Sequence, residues 1–400
     1  MTASTWFFRE NEMRTGILAM NARHNGDLSQ SPGAPLRVAI DARLMSYRPA
    51  GIGNYVLSLA QELCQIVPEQ LQLIISRRDQ LTQRVLPNAR FHRAWTPPHH
   101  RFEQFALALE IAPLSCDVYH APDFIPPFLC RVPTVVTVHD LAFLRMPELV
   151  TAQSQRYYGL IGPAVRSAAR IVAVSKLTRG DLIELTGADP RKIDVVYEAP
   201  NERFKRLDNF TARGGCVSLG LTKPFLLFVG THEPRKNLER LLRAYAAASS
   251  ITAGAPDLAI VGQHGWLVDS LDGTVEELDL TERVHWLGRL SDDTLVQLYN
   301  CTVALLFPSL YEGFGLPMVE AMACGAPVLA GNRGALPEIA NNAALLVDPF
   351  SIESIALGIT QLTTSPSLRE DLIGRGLERV RSLSWKSAAV ETLDCYRRAA

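Results

Sequence analysis

The chain has 400 residues, 47% of them hydrophobic, which is enough for a large core and, on length, for two domains rather than one. Its formal net charge of −1 gives no general attraction to nucleic acid. Seven cysteines (Cys64, Cys116, Cys130, Cys216, Cys301, Cys324 and Cys395) are scattered without a C-x-x-C, which suits reduced thiols and excludes a recognisable zinc site. The early apolar stretch 16–20 is too short for a signal-peptide core and no run reaches membrane-spanning length, so a cytoplasmic protein is expected.

Residues 1–35 lack sustained periodicity and read as a disordered leader, with Met13 and Met20 as alternative starts. From Leu36 onward, apolar strand-like runs alternate with amphipathic helical ones, the pattern of parallel sheets flanked by helices. A first series places strands at 37–41, 71–76, 117–120, 134–139, 170–175 and 193–197, giving a domain over 36–203. Residues 204–222 are low in hydrophobicity and read as a linker. A second series, at 225–230, 258–261, 284–287, 303–307, 327–330 and 344–347, gives a domain over 223–384. Helices are expected at 351–363, 367–382 and 385–398, with a break at Leu383-Ser384 that sets off residues 385–400.

In open parallel sheets, ligands sit beyond the carboxyl ends of strands, so the residues that follow each strand carry the candidates. After the first strand come Asp41-Ala42-Arg43 and then Gly51-Ile52-Gly53, where glycines at a helix start allow a phosphate or an acceptor to approach the main chain. The stretch 77–105 interleaves Arg77, Arg78, Arg84, Arg90, Arg93 and Arg101 with Phe91, Trp95, Phe102 and Phe105, a mixture that suits anionic lipid at a membrane surface or a solvated loop. His120 and His139-Asp140 end the next two buried strands. Arg235 and Lys236 follow the first strand of the second series. Cations at a helix start are locally unfavourable, so their presence argues for a nearby anion such as a diphosphate. Gly288-Arg289-Leu290 follows a later strand, ahead of a Ser291 cap, and the chain contains no Asp-x-Asp triplet for a metal-bound diphosphate.

The densest signal runs from Pro308 to Ala323. Pro308 ends a strand, Glu312-Gly313-Phe314-Gly315-Leu316 forms the turn, and Pro317 sits where a first helical turn tolerates a missing N–H. Gly313 and Gly315 let main-chain amides meet a ligand, and the helix start behind them adds a partial positive charge. Glu312 before the helix and Glu320 about one turn inside it could hold hydroxyls at the two ends of one ligand, a sugar nucleotide. A loop glutamate adds little to a core, so Glu312→Ala should lose turnover more than fold.

With E-G-F-G-L-P-x-x-E-A-M-A-x-G-x-P-V at 312–328, and Gly334 ahead of Pro337-Glu338, the chain resembles the retaining GT-B glycosyltransferases of family 4, which include bacterial mannosyltransferases. The resemblance implies an α/β fold of two Rossmann-like parallel-sheet domains facing a cleft, with the final helix crossing back to the first domain. It places His139 beside the donor sugar, the Gly51 and Gly53 loop over the donor diphosphate, and Gly288, Arg289 and Leu290 along the nucleotide base. Many members carry an arginine where this chain has Thr231, which leaves that role to Arg235 and Lys236.

The expected reaction moves a hexosyl group, mannose from GDP-mannose foremost, to an acceptor hydroxyl in cell-surface polysaccharide or lipid-linked glycan synthesis. dTDP-rhamnose, GDP-fucose and UDP-hexoses remain alternatives as donors. His139, Arg235, Lys236 and Glu312 form the catalytic set. Gly51, Gly53, Gly288, Arg289, Leu290, Gly313, Phe314, Gly315, Leu316 and Glu320 form the donor-binding set. Resemblance implies front-face attack without a metal or other cofactor. The partners expected are the nucleotide sugar, a glycan or lipid-linked acceptor and the inner membrane as a peripheral contact, with no nucleic acid. A sugar-nucleotide epimerase and a noncatalytic nucleotide-sugar scaffold compete with this reading. A dehydrogenase fits poorly, since Gly51-Ile52-Gly53 is not a G-x-G-x-x-G.

Overall fold

Val, Ile and Leu runs without polar alternation are what a sheet covered on both faces requires, and they form two all-parallel sheets. A computed structural model describes residues 35–400 except 48–50, 80–81, 83–85, 87–88, 101, 150–156, 253 and 264–270. The leader reading, Met13 and Met20, and also Arg84 and Arg101, lie outside the described residues. Leu36–Ala400 form one compact unit.

The first lobe runs β1 (Val38–Asp41), α1 (Leu44–Tyr47), α2 (Ile52–Ile66), β2 (Leu71–Ser76), β3 (Arg90–Ala94), α3 (Glu103–Ile111), β4 (Val118–Ala121), β5 (Thr134–Val138), α4 (Ala142–Arg145), α5 (Ile161–Ser167), β6 (Arg170–Ala173), α6 (Lys176–Thr186) and β7 (Ile193–Val195). Its seven strands lie in the order β3-β2-β1-β4-β5-β6-β7. After α7 (Asn209–Ser218), the second lobe runs β8 (Phe225–Val229), α8 (Leu238–Ile251), β9 (Asp257–Val261), α9 (Asp272–Glu277), β10 (Val284–Gly288), α10 (Asp292–Cys301), β11 (Leu305–Phe307), α11 (Leu316–Ala323), β12 (Val328–Gly331), α12 (Leu336–Ala340), β13 (Leu345–Val347), α13 (Ile352–Thr364) and α14 (Pro366–Arg381). Its six strands lie in the order β10-β9-β8-β11-β12-β13, and α15 (Trp385–Ala399) closes the chain. No helix among the described residues is long and apolar enough to cross a membrane.

Two elements depart from the sequence reading. Arg90–Ala94 is a strand rather than part of a surface loop, paired with β2 from Gln72↔Arg90 to Ser76↔Ala94. It sits at a sheet edge, where outward side chains need not be apolar, so the Arg-Phe-His-Arg pattern concealed it. Residues 209–218, read as linker, form a helix whose cap Asp208 accepts from the amides of Phe210 and Thr211. A Cβ at Gly215 would lie 2.0 Å from Gln297 Oε1, so this helix packs tightly on α10.

Helix α15 is the crossover that the resemblance implied. Ser384 caps it at the Ser387 amide, and Trp385, Ala388, Ala389, Leu393 and Tyr396 form a buried stripe at helical spacing. That stripe packs on α2, β5 and β6 of the first lobe. The Tyr396 hydroxyl meets His120 Nδ1 at 2.7 Å and Arg398 pairs with Asp194 at 2.8 Å. Elsewhere the lobes meet where Glu338 of α12 accepts from the amides of Lys176 (2.8 Å) and Leu177 (3.1 Å), placing a carboxylate at the positive start of α6. The same carboxylate accepts from the Tyr197 hydroxyl at 2.8 Å.

Candidate active site

The carboxyl ends of the two sheets face each other, and the loops there carry the charged residues. Pro234–Lys236 is a single 3-10 turn between β8 and α8. It aims Arg235 and Lys236 at the loop that follows β11. Glu312 lies there, 6% exposed, with Lys236 Nζ at 2.6 Å and an Arg235 guanidinium nitrogen at 2.9 Å. Burial alone would raise the Glu312 pKa, but Lys236 and then Arg235 hold it at about 2. Arg235 also pairs with buried Glu233 at 2.9 Å. The anions that the two cations called for are therefore supplied first by the protein. The placement argument for an external diphosphate weakens accordingly. A buried carboxylate with two cationic partners is also no ordinary loop glutamate, so Glu312 contributes more to the fold than the sequence reading allowed.

Gly313 is forced by contact. A Cβ there would lie 1.7 Å from the His139 carbonyl oxygen and 2.8 Å from Asp140 Cβ, so the loop of the second lobe rests directly on the first. Gly315, the cap of α11, has φ 97, and a Cβ would come within 2.6 Å of Leu336 Cδ2. The Phe314 ring is 4% exposed and packs near Tyr197, so its side chain belongs to the core and only main-chain groups remain for a ligand.

His139 directly follows β5. Its Nδ1 meets Glu198 at 2.9 Å, its Nε2 meets the Pro122 carbonyl at 3.0 Å, and Tyr55 of α2 stands edge-on to the ring. Burial alone would lower the imidazole pKa; the hydrogen bond and charge of Glu198, joined by the charge of Asp123, raise it instead. Asp140 accepts from the Ala142 amide and orients the start of α4. His120 is fully buried between Thr137 and Tyr396, and burial pushes its pKa down to about 3, so it is a neutral structural residue.

Gly51 caps α2 and Gly53 is buried in its first turn. Asn54 and Leu57, just behind them, share a small cavity with Leu316 and Glu320, which brings the start of α2 to α11. Gly288 and Arg289 are exposed and Leu290 is half-buried at the end of β10. Two strands, β9 and β8, lie between β10 and β11, which sets Gly288 roughly 14 Å from the Glu312 loop at about 4.8 Å per strand.

Glu320 is half-buried in α11 and accepts from the Tyr299 hydroxyl at 3.2 Å. Burial pushes its carboxyl up to about 8, with the charge of Asp292 adding to the shift and Tyr299 opposing it. The folded state thus keeps a proton that the unfolded chain loses near pH 4.5, so stability falls as pH rises between those values. Glu320→Gln should therefore unfold at least about 3 °C above the parent at pH 8.5 and together with it at pH 4.5, by scanning fluorimetry. The same offset at both pH values would refute a neutral Glu320.

Sequence reasoning passed over Glu198, Glu233 and the positioning role of Glu338. Glu198 follows the run read as strand 193–197, so the rule that selected His139 would have reached it had it been applied there.

Two Rossmann-like sheets meeting at such loops define the GT-B architecture. Residues 218–379 match the family described as Glycosyl transferases group 1, and residues 49–200 match Glycosyltransferase Family 4. The chain belongs to the group 1 glycosyltransferases. It is 32% identical over 291 residues to the O-antigen chain mannosyltransferase B of Escherichia coli, covering 70% of this chain and 74% of that protein. It is also 32% identical over 282 residues to the D-inositol 3-phosphate glycosyltransferase of Rhodococcus erythropolis, covering 67% of this chain and 63% of that one. The solved structure of sucrose-phosphate synthase from Thermosynechococcus elongatus shares the fold, with a TM-score of 0.74 at 21% identity over 90% of this chain and 98% of that chain.

Proposed function

We propose that this glycosyltransferase moves a hexosyl group, mannose from GDP-mannose, to an acceptor hydroxyl in cell-surface polysaccharide or lipid-linked glycan synthesis, with retention at the anomeric carbon. The observation that carries the reading is the buried Glu312–Lys236–Arg235 cluster set on the loop that closes against His139. A nucleoside diphosphate sugar is long enough to reach from the end of β10 to that cluster. The base would lie along Gly288, Arg289 and Leu290, the ribose at Glu320, and the diphosphate between the Gly313–Leu316 amides and the two cations, with the Gly51–Gly53 loop above it. The Gly313–Leu316 amides and the start of α11, with Arg235 and Lys236 shared between Glu312 and the phosphates, would stabilise the departing diphosphate without a metal ion or other cofactor, and Glu312 would turn to the sugar hydroxyls and favour a cationic ring. In front-face attack the donor phosphate takes the acceptor proton, so no enzyme base is required. The O-antigen mannosyltransferase relative supports mannose.

The acceptor and its lipid belong to the first lobe in this reading. Trp95 (72% exposed), Phe105 (61%) and Leu109 (75%) stand out from a surface that also carries Arg77 and Arg131, a mixture suited to an anionic membrane face. Thermal shifts with GDP, UDP, dTDP and ADP, followed by proton NMR of the product, test the donor and the stereochemistry. Selective stabilisation by GDP and a retained anomeric configuration are expected. Preference for UDP or dTDP overturns mannose, and an inverted product overturns front-face attack. Running the assay with a lipid-linked acceptor in anionic vesicles and with the free oligosaccharide tests the membrane contact, which equal rates would remove.

A further inference from the structure

The acceptors around His139 restrict its protonation. A carbonyl oxygen can only accept, so the 3.0 Å contact with Pro122 requires a proton on Nε2. The 2.9 Å contact at Nδ1 is with a carboxylate, 4% exposed, which leaves a second proton between Glu198 and the imidazole. Imidazole is the more basic of the two partners, and that proton rests on Nδ1. The remaining neighbours agree with a cation. Asp123 adds negative charge, His120 is neutral, the uncharged Tyr55 bonds its hydroxyl to Thr137, and the Thr178 hydroxyl points to the His139 carbonyl rather than to its ring.

Building on the glycosyltransfer reading above, we propose that Glu198, with the Pro122 carbonyl, is a positioning residue that locks His139 as an imidazolium behind the main-chain contact with Gly313. Held this way, the ring has no lone pair and cannot serve as a base. It supplies a fixed charge in the cleft wall and fixes the His139 carbonyl on which the Gly313 loop closes. The side-chain amide of Glu198→Gln keeps an acceptor for Nδ1–H while removing the charge that retains the proton.

Protein labelled with nitrogen-15 in histidine, with His139 assigned through a His139→Gln variant, reports the ring directly by NMR. The expected result is two protonated ring nitrogens at His139 in the parent at pH 7, and in Glu198→Gln a ring that gives up its second proton at lower pH than the parent's. In parallel, kcat of Glu198→Gln should lie about tenfold or more below the parent's at pH 7, and its fall with rising pH should begin at lower pH than the parent's, following the ring's charge. A neutral His139 in the parent, or a variant whose profile matches the parent's, overturns the assignment. The NMR titration needs no substrate, so its outcome is separate from failure of every nucleotide sugar to support transfer, which would overturn the glycosyltransfer reading instead.

Discussion

Glu312→Ala is expected to lower kcat by about 10²–10³-fold and to destabilise the fold by about 3–5 kcal/mol. The two losses share one cause. Glu312 is the counter-charge of Lys236, which is 7% exposed, and one of two carboxylates on Arg235, so its removal strands buried positive charge. The pH dependence identifies the mechanism. Its carboxylate has a folded pKa of about 2 against 4.5 unfolded, so its contribution is complete above pH 4.5 and fades as pH falls through that window. The gap in urea stability between parent and variant should narrow accordingly between pH 5 and 3. A variant that unfolds with the parent at pH 7 and turns over normally would remove Glu312 from both roles.

Gly313→Ala should reduce kcat/KM by about 10²-fold through geometry alone. The added methyl would sit 1.7 Å from the His139 carbonyl oxygen, a main-chain atom with no rotamer to escape into. Either the loop lifts or the lobes part, and both draw the donor loop away from the His139 wall by about 1 Å or more, a displacement that commonly costs two orders of magnitude. Neither lobe's core depends on a side chain at 313, so the thermal midpoint should move far less than for Glu312→Ala. Small-angle scattering would register parting of the lobes as an increased radius of gyration. Gly180→Ala, whose methyl meets nothing within 4 Å, is the control. Full activity in Gly313→Ala would show that catalysis does not need this contact.

What the sequence revealed depended on the range over which each feature is encoded. Central strands such as Thr134–Val138, fully buried, and Phe225–Val229, buried but for Val229, announce themselves within five residues, because parallel sheets need apolar side chains on both faces. The Glu312 turn is equally local, carried by Gly313, Gly315 and Pro317. β3 escaped because an edge strand is free of that demand, and α7 because its burial depends on Gln297 and α10, some 86 residues away. The ion pairs of the site join residues 76 and 77 positions apart, and His139 meets Glu198 across 59. No local pattern states which cation faces which carboxylate at that separation, so the residue types were legible and their pairing was not.

Helix α15 has a consequence for the order of events in synthesis. Val195, the end of the first lobe's last strand, is made 190 residues before Trp385 (385 − 195), roughly 10–40 s of elongation at bacterial or eukaryotic rates. Throughout that interval the apolar faces of α2 and β6 lack the Trp385–Tyr396 stripe that covers them, and His120 lacks the Tyr396 hydroxyl. The nascent first lobe is thus a half-covered sheet offering a sticky surface to chaperones and to other nascent chains. A stop codon or bulky insertion placed within α15 acts on the lobe that was synthesised first.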